Sequence, residues 1–212
     1  MIDEDRPPIV TEITGSIAIV RFNRPAQRNP LSLDTLHELG RTTSSLFPRE
    51  NIQTVIFTGT DNVFASGANI RELAQLDTTA ALEFSKLGQH LFQTIADARQ
   101  MTIAAINGYC MGGALDLALA CDIRVASRSA VFSHPGAKLG IITGWGGTQR
   151  LPRIIGRTRA LEFFATARRY TSLEALEMGL VGHIGDPVIF HAMKLADEKK
   201  EGGGESATFS QK

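Results

Sequence analysis

Residues 102–126 read TIAAINGYCMGGALDLALACDIRVA. Thr102 to Asn107 is a short apolar run ending at a glycine, the pattern of a strand buried on both faces, and Ile123 to Ala126 repeats it. Between them, the glycine-rich connection from Asn107 opens into an apolar helix expected over Gly113 to Ala120. Strand, connection, helix and strand form the unit of an α/β architecture with parallel strands and crossover helices, whose strand-end loops host the chemistry.

The alternation extends in both directions. Upstream, Thr54 to Gly59 (TVIFTG) is a further buried strand and Ala80 to Ala98 a helix. Ile9 to Thr14 and Ile17 to Phe22 are alternating β-branched runs separated by Gly15-Ser16, a hairpin signature. From Ser32, a good N-cap residue, Leu33, Leu36, Leu39 and Leu46 recur at helical spacing up to the breaker Pro48. Downstream, Arg157 to Ala167 is a helix candidate, and Thr171 to Met178 starts on the capping box Thr171-x-x-Glu174 and stops at Gly179. Residues 1–200 are expected to form one domain, with 1–8 flexible and the polar, glycine-rich stretch 201–212 disordered.

Composition narrows the function. The 212 residues are 43% hydrophobic and 21% charged, enough for a globular core, and 22 basic against 22 acidic side chains leave no net charge. A neutral chain offers no broad field for nucleic acid or an anionic membrane, so neither is an expected partner. Cys110 and Cys121 match neither a CxxC redox pair nor zinc-ligand spacing and read as buried thiols of a reducing compartment. The acidic start Asp3-Glu4-Asp5 is wrong for a secretory signal, and no apolar run approaches membrane-spanning length, so the expected location is the cytoplasm.

Two glycine-rich segments suit one task. In Phe64-Ala65-Ser66-Gly67-Ala68-Asn69-Ile70, small side chains let a ligand carbonyl approach a main-chain N–H, although a tightly packed turn needs small residues too. In Asn107 to Asp116, Gly112 and Gly113 enter a helix whose first N–H groups are unsatisfied and partially positive, which suits a developing oxyanion. Phosphate binding is the competing use of such a pair, but neither GxGxxG nor GxxxxGK[ST] spacing occurs. Asp116 stands one turn after Gly113 on the same helix face, where its carboxylate reaches a group held at the Gly113 N–H; elsewhere it would read as a solvated helix acid.

INGYCMGGALDLALACDIRVAS resembles the NGYALGGGxELALACDxxIAs block of the crotonase superfamily, the enoyl-CoA hydratase/isomerase family, and FASGANIREL resembles its FxAGADIKEL turn. Asn23-Arg24-Pro25 with Asn29-Pro30-Leu31, the run from Leu139-Gly140-Ile141 to Gly144-Trp145-Gly146-Gly147-Thr148-Gln149-Arg150-Leu151, and Ala175 to Val181 resemble further motifs in the family's order. The likeness thus runs from about Ile9 to Ile184. It implies a crotonase-like spiral of ββα units, commonly assembled as trimers or pairs of trimers, with a CoA thioester as substrate, no other cofactor and no metal. It also implies an oxyanion hole at the backbone N–H groups of Ala68 and Gly113, with Ala65, Gly67, Asn69, Ile70, Arg71 and Gly112 beside the acyl-CoA and Asn29 along its nucleotide end.

The pattern departs at the acids. Family hydratases use two glutamates; the first aligns with Asp116, whose reach is shorter by about 1.5 Å, enough to matter for catalytic geometry. The second aligns with Gly136, which has no side chain. Histidine is a side chain type suited to proton transfer near neutral pH, which makes His134 the candidate replacement, though a lone histidine is more often structural, and Trp145 is expected to wall the pocket. A glycine at the second position also resembles the family's naphthoyl-CoA synthases, where bicarbonate stands in for the carboxylate; Thr143 falls where those enzymes have an acid. After Ile184 only Gly185 to Lys200 looks foldable, so the C-terminal helices with which relatives cover the acyl pocket and build the trimer are shortened.

The expected activity is that of an enoyl-CoA hydratase-like lyase of fatty acid metabolism, with Asp116 as general acid/base. A decarboxylase, which reaches the enolate without two glutamates, is the alternative on the same fold. A catalytically silent acyl-CoA-binding or assembly subunit is the alternative of another class.

Overall fold

The computed structural model describes residues 6–202. The expected hairpin is present: β1 (Ile9–Thr14) and β2 (Ile17–Phe22) run antiparallel and turn at Gly15, whose φ of 59° lies in the left-handed region open to glycine. β3 (Pro30–Leu31) leads into α1 (Leu33–Leu46), where the Ser32 hydroxyl caps the Thr35 amide. There follow β4 (Thr54–Thr58), β5 (Val63–Ala65), β6 (Gly67–Ala68), α2 (Ile70–Leu73) and α3 (Thr78–Ala96). The next turns of the chain are β7 (Met101–Ile106), β8 (Tyr109–Met111) and α4 (Gly113–Ala120), then β9 (Ile123–Ala126), β10 (Val131–Ser133), α5 (Gly136–Leu139) and α6 (Gly147–Ile155). α7 (Arg157–Thr166), β11 (Tyr170–Thr171), α8 (Ser172–Glu177), β12 (His183–Ile184) and α9 (Val188–Gly202) complete it.

Three repeats of one unit are visible. β4, β7 and β9 lie in a six-stranded sheet ordered β1-β2-β4-β7-β9-β12, parallel except for the β1–β2 hairpin. The strand that follows each of them, β5, β8 and β10, lies in a second sheet ordered β11-β10-β8-β5. A helix closes each unit, giving the spiral of ββα turns that the resemblance implies. The short strands were not legible as strands: β6 and β8 lie within, and β5 runs into, the segments read as glycine-rich turns, 64–70 and 107–116. Strands of two or three residues are too short for alternation to register.

The six-stranded sheet is buried on both faces. Ala18, Val20 and Phe22 of β2 join the core under α1, α3 and α4, while Ile17 and Ile19, pointing the other way, pack with Ile56, Ile103 and Val125 against Val188, Ala192 and Ala196 of α9. α9 runs two residues into the stretch 201–212 expected to be disordered, and 203–212 lie outside the described residues. Of the expected flexible N-terminus 1–8, residues 1–5 also lie outside them, and the Pro8 carbonyl accepts the Asn23 amide at 2.9 Å. Among the described residues, no helix is long and apolar enough to cross a membrane.

Candidate active site

The two glycine-rich segments meet. Ala68 lies in β6, paired in parallel with β3, and Gly113 opens α4. Gly67 (φ 88°) brings them together: a β-carbon there would stand 2.5 Å from the Met111 carbonyl oxygen and 2.9 Å from the Gly113 nitrogen, so only glycine permits the approach. Gly112, at φ 54°, turns the chain into α4, and its amide donates to the Ser133 carbonyl at 2.9 Å, tying the end of β10 to the start of the helix. Ala68, Gly112 and Gly113 are half-buried, at the margin of the core. The Gly113 and Ala114 amides precede the first bonds of α4, which start with the Leu115 amide on the Gly112 carbonyl at 2.9 Å, and this leaves the positive end of the helix facing whatever lies at Gly113.

Asp116 is one turn further along α4 and its carboxylate is enclosed, at 1% exposure. The Thr143 hydroxyl donates to Oδ2. Oδ1 lies 3.5 Å from His134 Nε2, within ion-pair range, and neither of these two buried atoms makes a hydrogen bond among the described residues. A β-carbon on Gly147 would collide with Oδ1, so that glycine is the space the carboxylate occupies. His134, itself buried, rests edge-on against Phe164 with ring centroids 5.2 Å apart.

Gly136, where no side chain exists, has no room for one: a β-carbon would stand 2.5 Å from the Ile141 carbonyl oxygen and 3.5 Å from His134 Nδ1. The histidine therefore spans the gap between Asp116 and the empty side-chain position of Gly136.

Three residues expected beside the substrate are buried and have structural partners. Asn29, expected along CoA, is buried and its amide is fully engaged: Oδ1 accepts from the Arg24 amide at 2.7 Å, and Nδ2 donates to the carbonyls of Val63 at 3.0 Å and Phe64 at 3.3 Å. It braces the Arg24–Asn29 loop against β5. Ala65 is sealed in β5 and faces the core. Trp145, expected to wall the pocket, is a core residue, its indole NH donating to the Phe84 carbonyl and its ring set between Phe84 and Phe92. The ring occupies the space of the missing side chains of Gly88 and Gly113, supporting the helix start from within.

Asn69, half-buried, caps α2 by accepting from the Arg71 amide at 3.1 Å, while Ile70 and Arg71 are exposed. Sequence reasoning missed Glu72, whose Oε1 accepts from Asn69 Nδ2 at 3.0 Å and whose Oε2 accepts from the Leu33 amide at 2.9 Å, locking the turn after Ala68 to the start of α1. The signal was present in the spacing Asn69-x-x-Glu72, which is that of a capping box. It also missed the two bonds that hold the loop before Trp145, where the Gly144 carbonyl accepts from Gln89 at 2.7 Å and Ser85 at 3.2 Å. Cys110 and Cys121 are free and buried, and burial pushes both thiols up, Cys121 to about 12. Among the described residues no cluster of His, Cys, Asp and Glu is placed to hold a metal.

A family model described as enoyl-CoA hydratase/isomerase matches residues 12–202. A putative enoyl-CoA hydratase/isomerase, YngF, of Bacillus subtilis is 44% identical over 172 residues, which are 81% of this chain and 66% of that protein. A short-chain-enoyl-CoA hydratase of Clostridium acetobutylicum is 37% identical over 180 residues, 84% of this chain and 69% of that one. The chain thus spans about two thirds of the length of these curated relatives. The crystal structure of an enoyl-CoA hydratase from Bacillus anthracis superposes with a TM-score of 0.86 at 35% identity, covering 90% of this chain and 76% of that one.

Proposed function

The chain belongs to the enoyl-CoA hydratase/isomerase family, and from that premise we propose that it is an enoyl-CoA hydratase-like lyase acting on an acyl-CoA thioester. The observation that carries the reading is the meeting of the two turns, with Gly67 against the Gly113 amide. In this reading the Ala68 and Gly113 amides form an oxyanion hole for the thioester carbonyl. As water adds to the β-carbon, the electron pair moves onto the carbonyl oxygen as an enolate, which these donors stabilise more than they stabilise the ground state. A proton then reaches the α-carbon, with acid/base work centred on Asp116 and His134 beside it.

CoA is carried by the substrate, and the reading requires no other cofactor. Gly67, Ala68, Asn69, Ile70 and Arg71 border the acyl-CoA on one side and Gly112, Gly113 and Gly136 on the other. Residues 1–200 act as one acyl-CoA-handling unit, in a cytoplasmic setting and as a homotrimer or pair of trimers, in keeping with the family resemblance. Calorimetric titration with a short-chain acyl-CoA tests the reading: saturable binding is expected, and no binding of any acyl-CoA would sink it.

A second reading, decarboxylation of a malonyl-type CoA, is favoured by one observation: at Gly136 the Ile141 carbonyl borders the space where a second carboxylate would begin. Loss of CO2 generates the same enolate in the same hole without a second acid. Release of CO2 with no hydration of crotonyl-CoA distinguishes it.

A further inference from the structure

Family hydratases divide proton transfer between two carboxylates, and here one position is a blocked glycine. The other carboxylate, on Asp116, is sealed: Thr143 holds Oδ2, while Oδ1 faces the Gly147 backbone and His134. A carboxylate so enclosed is poorly placed to touch substrate itself. His134 joins it to the surroundings. Its Nε2 approaches Asp116 Oδ1 at 3.5 Å, its Nδ1 lies 3.5 Å from where a side chain on Gly136 would begin, and its neighbours Ser133 and Pro135 pack on the Gly112 turn that leads to the oxyanion hole.

We infer that His134 and Asp116 work as a buried dyad in which His134 is the proton-transfer group and Asp116, steadied by Thr143, is its positioning residue. The inference rests on the hydratase reading above. Asp116 Oδ1 faces Nε2 across 3.5 Å, and on closing to hydrogen-bond distance in the substrate complex the carboxylate accepts Nε2–H and leaves the lone pair on Nδ1. As water attacks the β-carbon of the enoyl thioester, Nδ1 takes one of its protons, and the resulting imidazolium lies beside the Asp116 carboxylate, which stabilises its charge. The same proton passes from Nδ1 to the α-carbon as the enolate collapses. One water is added in all, and His134 returns to the neutral form. This differs from two carboxylates sharing the work, because a single ring both accepts and returns the proton. The titratable groups around the ring are Asp116 on α4 and, beyond it, Cys110 on β8, whose raised thiol stays neutral; Phe164 on α7 covers the other face.

The test combines kinetics on crotonyl-CoA with NMR of the His134 ring nitrogens in the full chain. His134→Gln should lower kcat by about 10²-fold or more with KM little changed and with Tm near wild type. Thr143→Val should lower kcat while Thr143→Ser restores it. In Asp116→Asn the His134 ring should lose its fixed tautomer, seen as a changed pair of ring-nitrogen chemical shifts, because the carboxylate facing Nε2 is gone. That readout stands even if the His134 variant folds poorly. An active wild type whose His134→Gln form keeps its kcat, or whose His134 ring-nitrogen shifts are unmoved by Asp116→Asn, overturns the dyad and leaves the hydratase reading intact. A wild type that turns over no enoyl-CoA overturns both.

Discussion

Gly67 and the Gly113 amide nitrogen are in direct apposition: a β-carbon on Gly67 would stand 2.9 Å from that nitrogen. One segment follows β5 and the other opens α4, so the contact joins two consecutive turns of the spiral.

Gly67→Ala should therefore fold poorly and lose turnover, because it combines a φ of 88° with the Met111 carbonyl at 2.5 Å. Gly40→Ala is the contrast. Gly40 lies within α1 with nothing within 4 Å of an added β-carbon, so the change should stabilise the protein by about 0.5–1 kcal/mol. Thermal melts of the two variants, with acyl-CoA titration of each, check both expectations.

Trp145→Ala should cost about 3–5 kcal/mol, the range for emptying a large aromatic site in a packed core, and lower Tm by on the order of 10 °C. Because the ring backs Gly113, the part of the protein that stays folded should also bind acyl-CoA more weakly. A stable variant with unchanged affinity would contradict the placement.

Asn29→Ala separates a brace from a CoA contact. Losing its three buried hydrogen bonds should cost about 1–3 kcal/mol while acyl-CoA affinity well below Tm is retained. Lost affinity at unchanged Tm would restore Asn29 to the ligand.

Glu174 carries a stability that depends on pH. The Thr171 amide, with the Arg168 guanidinium and the Thr171 hydroxyl, holds its carboxyl down at about 2. A group depressed in the folded state stabilises above its unfolded pKa, and the contribution is lost as pH falls from about 4.3 toward the folded value. Glu174→Ala should lower stability at pH 7 by about 1 kcal/mol through loss of the capping box, and the difference from wild type should shrink through this acid window in melts taken across it.

The larger elements were legible because they obey periodicity: the hairpin around Gly15, the helix capped by Ser32, and the buried parallel strands β4, β7 and β9. The second sheet was not, since β5, β8 and β10 have three residues each and take their pairing from one another rather than from their own pattern. The two glycine-rich turns could be read from their small residues and, at Gly112 and Gly113, from the helix they enter. The roles of Asn29 and Trp145 could not, because burial and partners depend on chain segments far away in sequence: Asn29 is tied to Val63, and Trp145 to Phe84. His134 beside Asp116 was legible only as two chemically suitable residues; the 3.5 Å between them is a property of the fold.

The most direct measurement follows the loss of the conjugated enoyl thioester absorbance when purified protein meets crotonyl-CoA, with Asp116→Asn alongside. The account predicts turnover by the wild type and a loss of about 10²-fold or more in the variant. No turnover by the wild type, with CO2 released from a malonyl-type CoA instead, would contradict it.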